Sequence, residues 1–215
     1  MLKVFFLTVT EHNRTHWKAY LETLPPPVQD EILRQKTPSA RIQKTYARIL
    51  LRRTLIGLGH PETILNEMKI SEHGKPFIPS FSGDFNISHS DNLITLIVAD
   101  KPGVGIDIEK IRTVNPTGFK NFFSKEEWQR IIDSNENENT LLRLWTIKEA
   151  LLKARSTGFS DGVENLHIDY SINTASFTPD HDTYYWNYIG AHSEYIVCYA
   201  TCEKDVIPEI TVVDL

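Results

Sequence analysis

Residues 103–112 read Gly103-Val-Gly-Ile-Asp-Ile-Glu-Lys-Ile-Arg112, and their alternation decides how the chain is organised. Val104, Ile106 and Ile108 take one face of a strand, and Asp107 and Glu109 the other. Carboxylates two residues apart on a strand lie roughly 6–7 Å apart at the backbone, so their oxygens can converge. Left alone they repel, and a buried one tends to keep its proton. A divalent cation removes that conflict, and hard oxygen donors of this kind suit Mg2+. An edge strand with a wetted polar face carries the same pattern. Taken alone, the stretch leaves both readings open.

Just upstream, Lys101-Pro-Gly103 forms a turn, and Leu93–Ala99 is an apolar strand. Asp91-Asn92 suits a hairpin between that strand and Phe85-Asn-Ile-Ser-His-Ser90. The middle of the chain therefore reads as an antiparallel meander that includes the Asp107 strand, with no βαβ pattern. His89, next to the hairpin, is by default a capping or packing histidine. Met68–Ser71 is a further strand, and Gly74 and Pro76 set a turn around Lys75.

The first third opens with a strand, Val4–Val9, followed by helices at Trp17–Thr23, Val28–Lys36 and about Ser39–Leu58. In the last of these, Ile42, Tyr46, Ile49, Leu50 and Ile56 form an apolar stripe at helical spacing. From Ile32 to Pro61 there is no acidic residue, while Arg34, Lys36, Arg41, Lys44, Arg48, Arg52 and Arg53 are all basic. A merely solvated helix face usually mixes both signs. The imbalance points instead to a surface that faces an anion.

Downstream, Ser124 has the position of an N-cap and Glu127 that of its capping-box partner. Ser134–Thr140 is a polar loop, and Leu141–Arg155 a helix. Trp145, Glu149 and Lys153 follow one another on one stripe of that helix, with Lys148 beside them. An exposed Glu149–Lys153 pair would contribute only about 0.3–0.5 kcal/mol. Short strands complete the chain at Leu166–Tyr170, Ala175–Phe177, Tyr184–Ile189 and Glu194–Tyr199. The expected class is α+β, with halves at 1–102 and 103–215 that share the order strand, helices, antiparallel strands.

With 215 residues there is room for one large domain or two small ones. The net charge of −5 argues against a nucleic-acid binder coated in basic residues. Cys198 and Cys202 are the only cysteines and lack CxxC spacing, as in a chain kept in a reducing, cytoplasmic setting. No run approaches the ~20 apolar residues of a membrane span. A short apolar Lys3–Thr10 reads as a strand, not a signal peptide.

Three groups of residues, in this order and spacing, resemble the 4′-phosphopantetheinyl transferase superfamily. They are Gly74-Lys-Pro76 with Phe85-Asn-Ile-Ser-His-Ser90; Gly103-Val-Gly-Ile-Asp-Ile-Glu109; and Phe122-Phe-Ser-Lys-Glu-Glu127 leading to Leu144-Trp-Thr-Ile-Lys-Glu-Ala-Leu-Leu-Lys153. The likeness is to its larger, pseudo-dimeric class, typified by the enzyme that activates surfactin synthetase. It spans roughly residues 40–160. The resemblance implies two similar α+β halves about a pseudo-twofold axis, with the active site between them. It implies Mg2+-dependent transfer of 4′-phosphopantetheine from coenzyme A to a serine of an acyl or peptidyl carrier protein, releasing 3′,5′-ADP. Asp107, Glu109 and Glu149 would hold the metal, with Glu149 also the base and Lys153, helped by Lys148, stabilising the departing nucleotide. Lys75 and Pro76 would border the adenine and His89 would bond a phosphate. Arg41 and Lys44 are the candidates for the 3′-phosphate, while Gly158 and Phe159 would line the pantetheine arm. Glu127 matches a position near the metal, yet its capping role explains it equally well.

The expected partners are coenzyme A and a carrier domain from a fatty-acid, polyketide or nonribosomal-peptide system, with no nucleic acid and no membrane; the working unit is expected to be a monomer. Two other classes compete: a Mg2+-dependent phosphodiester-cleaving enzyme that uses the same acids without a carrier, and a non-catalytic binding module in which those acids are ordinary surface groups.

Overall fold

The computed structural model describes residues 1–156, 163–180, 182–190 and 192–215, apart from the side chain of residue 164. Its architecture is α+β, with the chain divided into two compact units. Among the described residues no helix is long and apolar enough to cross a membrane.

The first unit comprises Met1–Pro102 together with Ile207–Leu215. Its four-stranded sheet has the order β11-β1-β5-β4, formed by β1 (Leu2–Thr8), β4 (Asp84–Ser90), β5 (Leu93–Ala99) and β11 (Glu209–Val213). β4 and β5 are the expected hairpin, with Asp91 at φ 52° in its turn. β5 also pairs antiparallel with β1, from Leu2↔Ala99 to Thr8↔Leu93. All seven β5 residues are buried, as befits an unbroken apolar run at the centre of a sheet.

Three helices accompany this sheet, α1 (Glu11–Glu22), α2 (Pro26–Leu33) and α3 (Pro38–Gly57): α3 packs on β5, and α1 and α2 pack on α3. α1 starts well before Trp17, because Thr10 and Asn13 form a reciprocal capping box. Thr37 caps α3 by accepting from the Ala40 N–H at 3.2 Å. The stripe Ile42, Tyr46, Ile49 and Leu50 is buried in the core as its spacing predicts. The buried Tyr46 hydroxyl donates to the Asn13 carbonyl at 2.8 Å, tying α3 to α1. A two-stranded ribbon of β2 (Lys69–Ile70) and β3 (Pro76–Phe77) carries Lys75 in its turn, with Gly74 at φ 84°.

The second unit is Gly103–Val206. Its five-stranded antiparallel sheet has the order β6-β10-β9-β8-β7. The strands are β6 (Val104–Lys110), β7 (Leu166–Asp169), β8 (Thr174–Phe177), β9 (Thr183–Tyr188) and β10 (Tyr195–Thr201). α4 (Lys125–Asp133) precedes α5 (Asn137–Arg155), the long helix laid over β6 and β10. Ser156, at φ 68°, ends α5 in a left-handed turn.

Two expectations are corrected. β6 does not continue a meander from β5: it pairs with β10, and β5 already has β1 and β4 on its two edges. The second half also does not run to residue 215. Residues 209–213 return to the first unit as β11, parallel to β1 in the register Lys3↔Glu209.

Candidate functional site

The site is built where α5 meets β6. Gly105 makes that approach possible, because a Cβ there would collide with the Ala150 carbonyl oxygen and the Ala154 amide nitrogen of α5. Only a glycine lets the helix backbone lie so close to the strand. Gly105, Asp107 and Glu109 share one face of β6, and α5 brings Glu149 and Lys153 over it. Asp107 is thereby 4% exposed, not wetted.

Lys153 Nζ bonds Asp107 Oδ1 at 2.6 Å and lies 3.8 Å from Glu149 Oε2. Glu149 is therefore more than an exposed helix pair. Burial pushes its carboxyl up to about 7; Lys153 opposes that rise, and the charges of Asp107 and Glu109 add to it. Burial alone would pull the Lys153 ammonium down, but Asp107 and Glu149, with Glu109 behind them, hold it above its usual range. The result is a pocket of acids crowded around one cation, with a proton held ready for release near neutral pH.

The donor set fits a hard divalent cation: carboxylate oxygens with excess negative charge in a half-buried place. As the side chains stand, however, no group of three or more His, Cys, Asp or Glu among the described residues is placed so that it could hold a metal ion. At Asp107 the compensating charge is the Lys153 ammonium.

Lys148 points elsewhere. Its side chain is 3% exposed, and its ammonium lies 2.9 Å from Glu127 Oε2 and sits over the Phe123 ring. Glu127 does two jobs with one carboxylate. Its Oε2 accepts from the Ser124 N–H at 2.8 Å, closing the expected capping box, and its Oε1 accepts from the Tyr170 hydroxyl. Tyr170 had no local sequence signal; only its place just after β7, in contact with Glu127 and Arg130 of α4, reveals it. Trp145, on the stripe of Glu149, is flanked edge-on by Phe119 and Phe122 at 5.1 and 5.3 Å between ring centroids.

In the first unit, Lys75 Nζ holds Asp84 Oδ2 at 2.7 Å in a largely buried pair, with Pro76 next to it in β3. His89 is exposed on β4. Of the basic run, Lys44 Nζ lies 2.8 Å from Glu31 Oε1, which also accepts from the buried Arg48. Glu31 itself is held below the usual carboxylate range, the pull of Arg48 and Lys44 overcoming the cost of burial. Arg41 Nε donates to the Gln35 carbonyl at 2.9 Å, and Arg52 to that of Thr23. Much of the basic face thus has work within its own unit. Gly158 and Phe159 lie outside the described residues.

Comparison with known proteins adds a family. A model described as the 4′-phosphopantetheinyl transferase superfamily matches residues 103–200, the span from β6 through α5 to β10. The 4′-phosphopantetheinyl transferase gsp of Aneurinibacillus migulanus is 30% identical over 174 residues, 79% of this chain and 72% of that protein. The 4′-phosphopantetheinyl transferase psf-1 of Bacillus pumilus is 29% identical over 84% of this chain and 81% of its own. Sfp of Bacillus subtilis strain 168 is 34% identical over 100 residues, 45% of this chain and 44% of that one. Among solved structures, the holo-[acyl-carrier-protein] synthase of Thermotoga maritima is similar at TM-score 0.38 and 17% identity, over 46% of this chain and 61% of that chain.

Proposed function

Since the chain belongs to the 4′-phosphopantetheinyl transferase superfamily, we propose that it moves the 4′-phosphopantetheine group of coenzyme A onto a serine of an acyl or peptidyl carrier protein, releasing 3′,5′-ADP. The observation that supports this most is the convergence of Asp107, Glu149 and Lys153 on one half-buried spot, built on Gly105.

The chemistry needs a proton acceptor, a stabilised leaving group and charge neutralisation. Serine is a poor nucleophile while protonated. Glu149 is assigned to take that proton; in the metal-free site burial raises its carboxyl to about 7, toward the range useful to a base near neutral pH. The serine oxygen then bonds the phosphorus that carries the pantetheine, and the bond from that phosphorus to the bridging oxygen breaks. That oxygen leaves with 3′,5′-ADP, and Lys153 stabilises its charge. Asp107, Glu109 and Glu149 are assigned as holders of Mg2+, which when bound neutralises phosphate charge. Lys148, clamped by Glu127, keeps α5 in register with α4 and acts on the reaction through position.

From the first unit, Lys75 and Pro76 are assigned to the adenine of coenzyme A, His89 to a phosphate, and Arg41 and Lys44 to the 3′-phosphate. Lys44 would share its charge between Glu31 and that phosphate. The reaction is placed in the cytoplasm, with the monomer as the working unit. The test is intact mass spectrometry of purified carrier domains incubated with the protein, coenzyme A and Mg2+. A gain of one phosphopantetheine mass on the carrier serine supports the reading. Hydrolysis of coenzyme A with the carrier unmodified would replace it with a phosphodiesterase.

A further inference from the structure

The Gly103–Val206 unit contains a cavity of about 600 Å3 lined by none of the residues assigned above to coenzyme A, metal or proton transfer. α4 contributes Arg130, α5 contributes Arg143, Leu144 and Ile147, and β9 contributes Trp186 and Tyr188. Each arginine stacks on a ring. The Arg130 guanidinium lies 5.3 Å from the centroid of Tyr170, and that of Arg143 5.2 Å from Tyr188. Among the described residues neither arginine forms an ion pair. Asp133, also on the wall, accepts from Gln129 at 2.8 Å.

Trp186 supplies the second observation. The residue is 5% exposed, and its indole N–H has no hydrogen-bond partner among the described residues. Buried indole donors normally find an acceptor, and leaving one unmet costs about 1–3 kcal/mol. The neighbouring hydroxyls are engaged: Tyr188 donates to the Arg143 carbonyl at 3.0 Å, Tyr170 donates to Glu127, and one hydrogen bond joins Ser134 and Thr140. Apart from one oxygen of the Asp133 carboxylate, the polar side-chain groups left open around the cavity are donors, two of them cationic. The remaining wall is aromatic and aliphatic.

We propose that this cavity binds a small organic anion, its carboxylate or phosphate head accepting from Arg130 and Arg143 and, once a small movement of the wall uncovers it, from the Trp186 indole, and its apolar body lying against Tyr188, Leu144 and Ile147. Guanidiniums stacked on rings suit planar, acceptor-rich heads, and a concave apolar wall with a few convergent donors is the usual form of a small-molecule site. This proposal stands apart from the transferase reading, since it uses other residues.

The four tryptophans give four indole N–H signals in a proton–nitrogen correlation spectrum of the 15N-labelled full chain. The Trp186 signal is identified by its loss in Trp186→Phe, or by side-chain correlation should that variant fail to fold. Titration with phenyl phosphate and with benzoate is expected to move the Trp186 signal saturably, the tighter of the two identifying the head group. Inorganic phosphate, lacking the apolar body, should bind at least tenfold more weakly. Arg130→Ala/Arg143→Ala, which alters two exposed side chains, should weaken the organic anion at least tenfold. The site is refuted if neither organic anion moves the Trp186 signal by about 10 mM, a concentration that saturates even millimolar sites. Movement confined to the Trp145 signal, or equal affinity in the double arginine variant, refutes it as well.

Discussion

Lys153 Nζ stands 2.6 Å from Asp107 Oδ1, a contact that spans 46 positions of sequence and exists because Gly105 lets α5 touch β6. The chemistry proposed for the protein depends on that approach, and so do the predictions that test it.

Gly105→Ala places a methyl group against the backbone of Ala150 and Ala154, where neither atom can rotate aside. α5 must move. Overpacking of this kind costs about 1–3 kcal/mol, so chemical denaturation should show a drop in stability of that size. Transfer to the carrier should fall at least tenfold, because Glu149 and Lys153 move with the helix. A variant with parental stability and rate would show that the approach is not needed.

The raised Glu149 carboxyl makes a pH prediction for the metal-free protein. Its folded value of about 7 lies above the unfolded 4.5, so between the two the folded state binds more protons. Stability should therefore fall as pH rises from about 4.5 to 7, by up to roughly 3 kcal/mol at full ionisation. Glu149→Gln should flatten that decline. Thermal melts across this pH window check both points, and a parental slope in the variant would assign the titration elsewhere.

The Glu127–Lys148 pair is a structural clamp. Glu127→Gln leaves a buried ammonium without its counter-charge and should destabilise the fold by about 3–5 kcal/mol. Adding Lys148→Met removes the stranded charge and should restore more than half of that loss. A double-mutant cycle in urea measures the recovery. Additive losses would show that the two groups do not act as a pair.

For Lys75 the expected effect is on binding. Lys75→Ala should raise the KM for coenzyme A at least fivefold and leave kcat within about threefold, since the assigned contact is to a part of the substrate that does not react. A fall in kcat with KM unchanged would move Lys75 out of the nucleotide site.

Much of this was legible in the chain. The Asp107 and Glu109 alternation, the Ser124–Glu127 capping box and the α5 stripe are local patterns, and local physics enforces them. What alternation cannot give is a partner. Nothing within β6 says that it pairs with β10 and not with β5, because either neighbour satisfies the same backbone groups. β11 escaped notice for a related reason: Ile210 and Val212 alternate with Glu209 and Thr211 over too few residues to stand out, and its pairing with β1 is remote in sequence. The basic run in α3 misled through its window. The acid-free stretch begins at Ile32, and the carboxylate that meets Lys44 and Arg48 is Glu31, one residue outside it on α2. Ser134–Thr140 looked like loop on composition, yet α5 begins at Asn137.

The most direct measurement is the intact mass of an apo carrier domain incubated with coenzyme A and Mg2+ and either the parent protein or Glu149→Gln. The parent is expected to add one phosphopantetheine to the carrier serine. The variant, with a melting temperature at least equal to the parent's at neutral pH, is expected to leave the carrier unmodified over the same time. A carrier converted at near-parental rate by Glu149→Gln would contradict the assignment of Glu149, and with it the active centre built on Asp107 and Lys153.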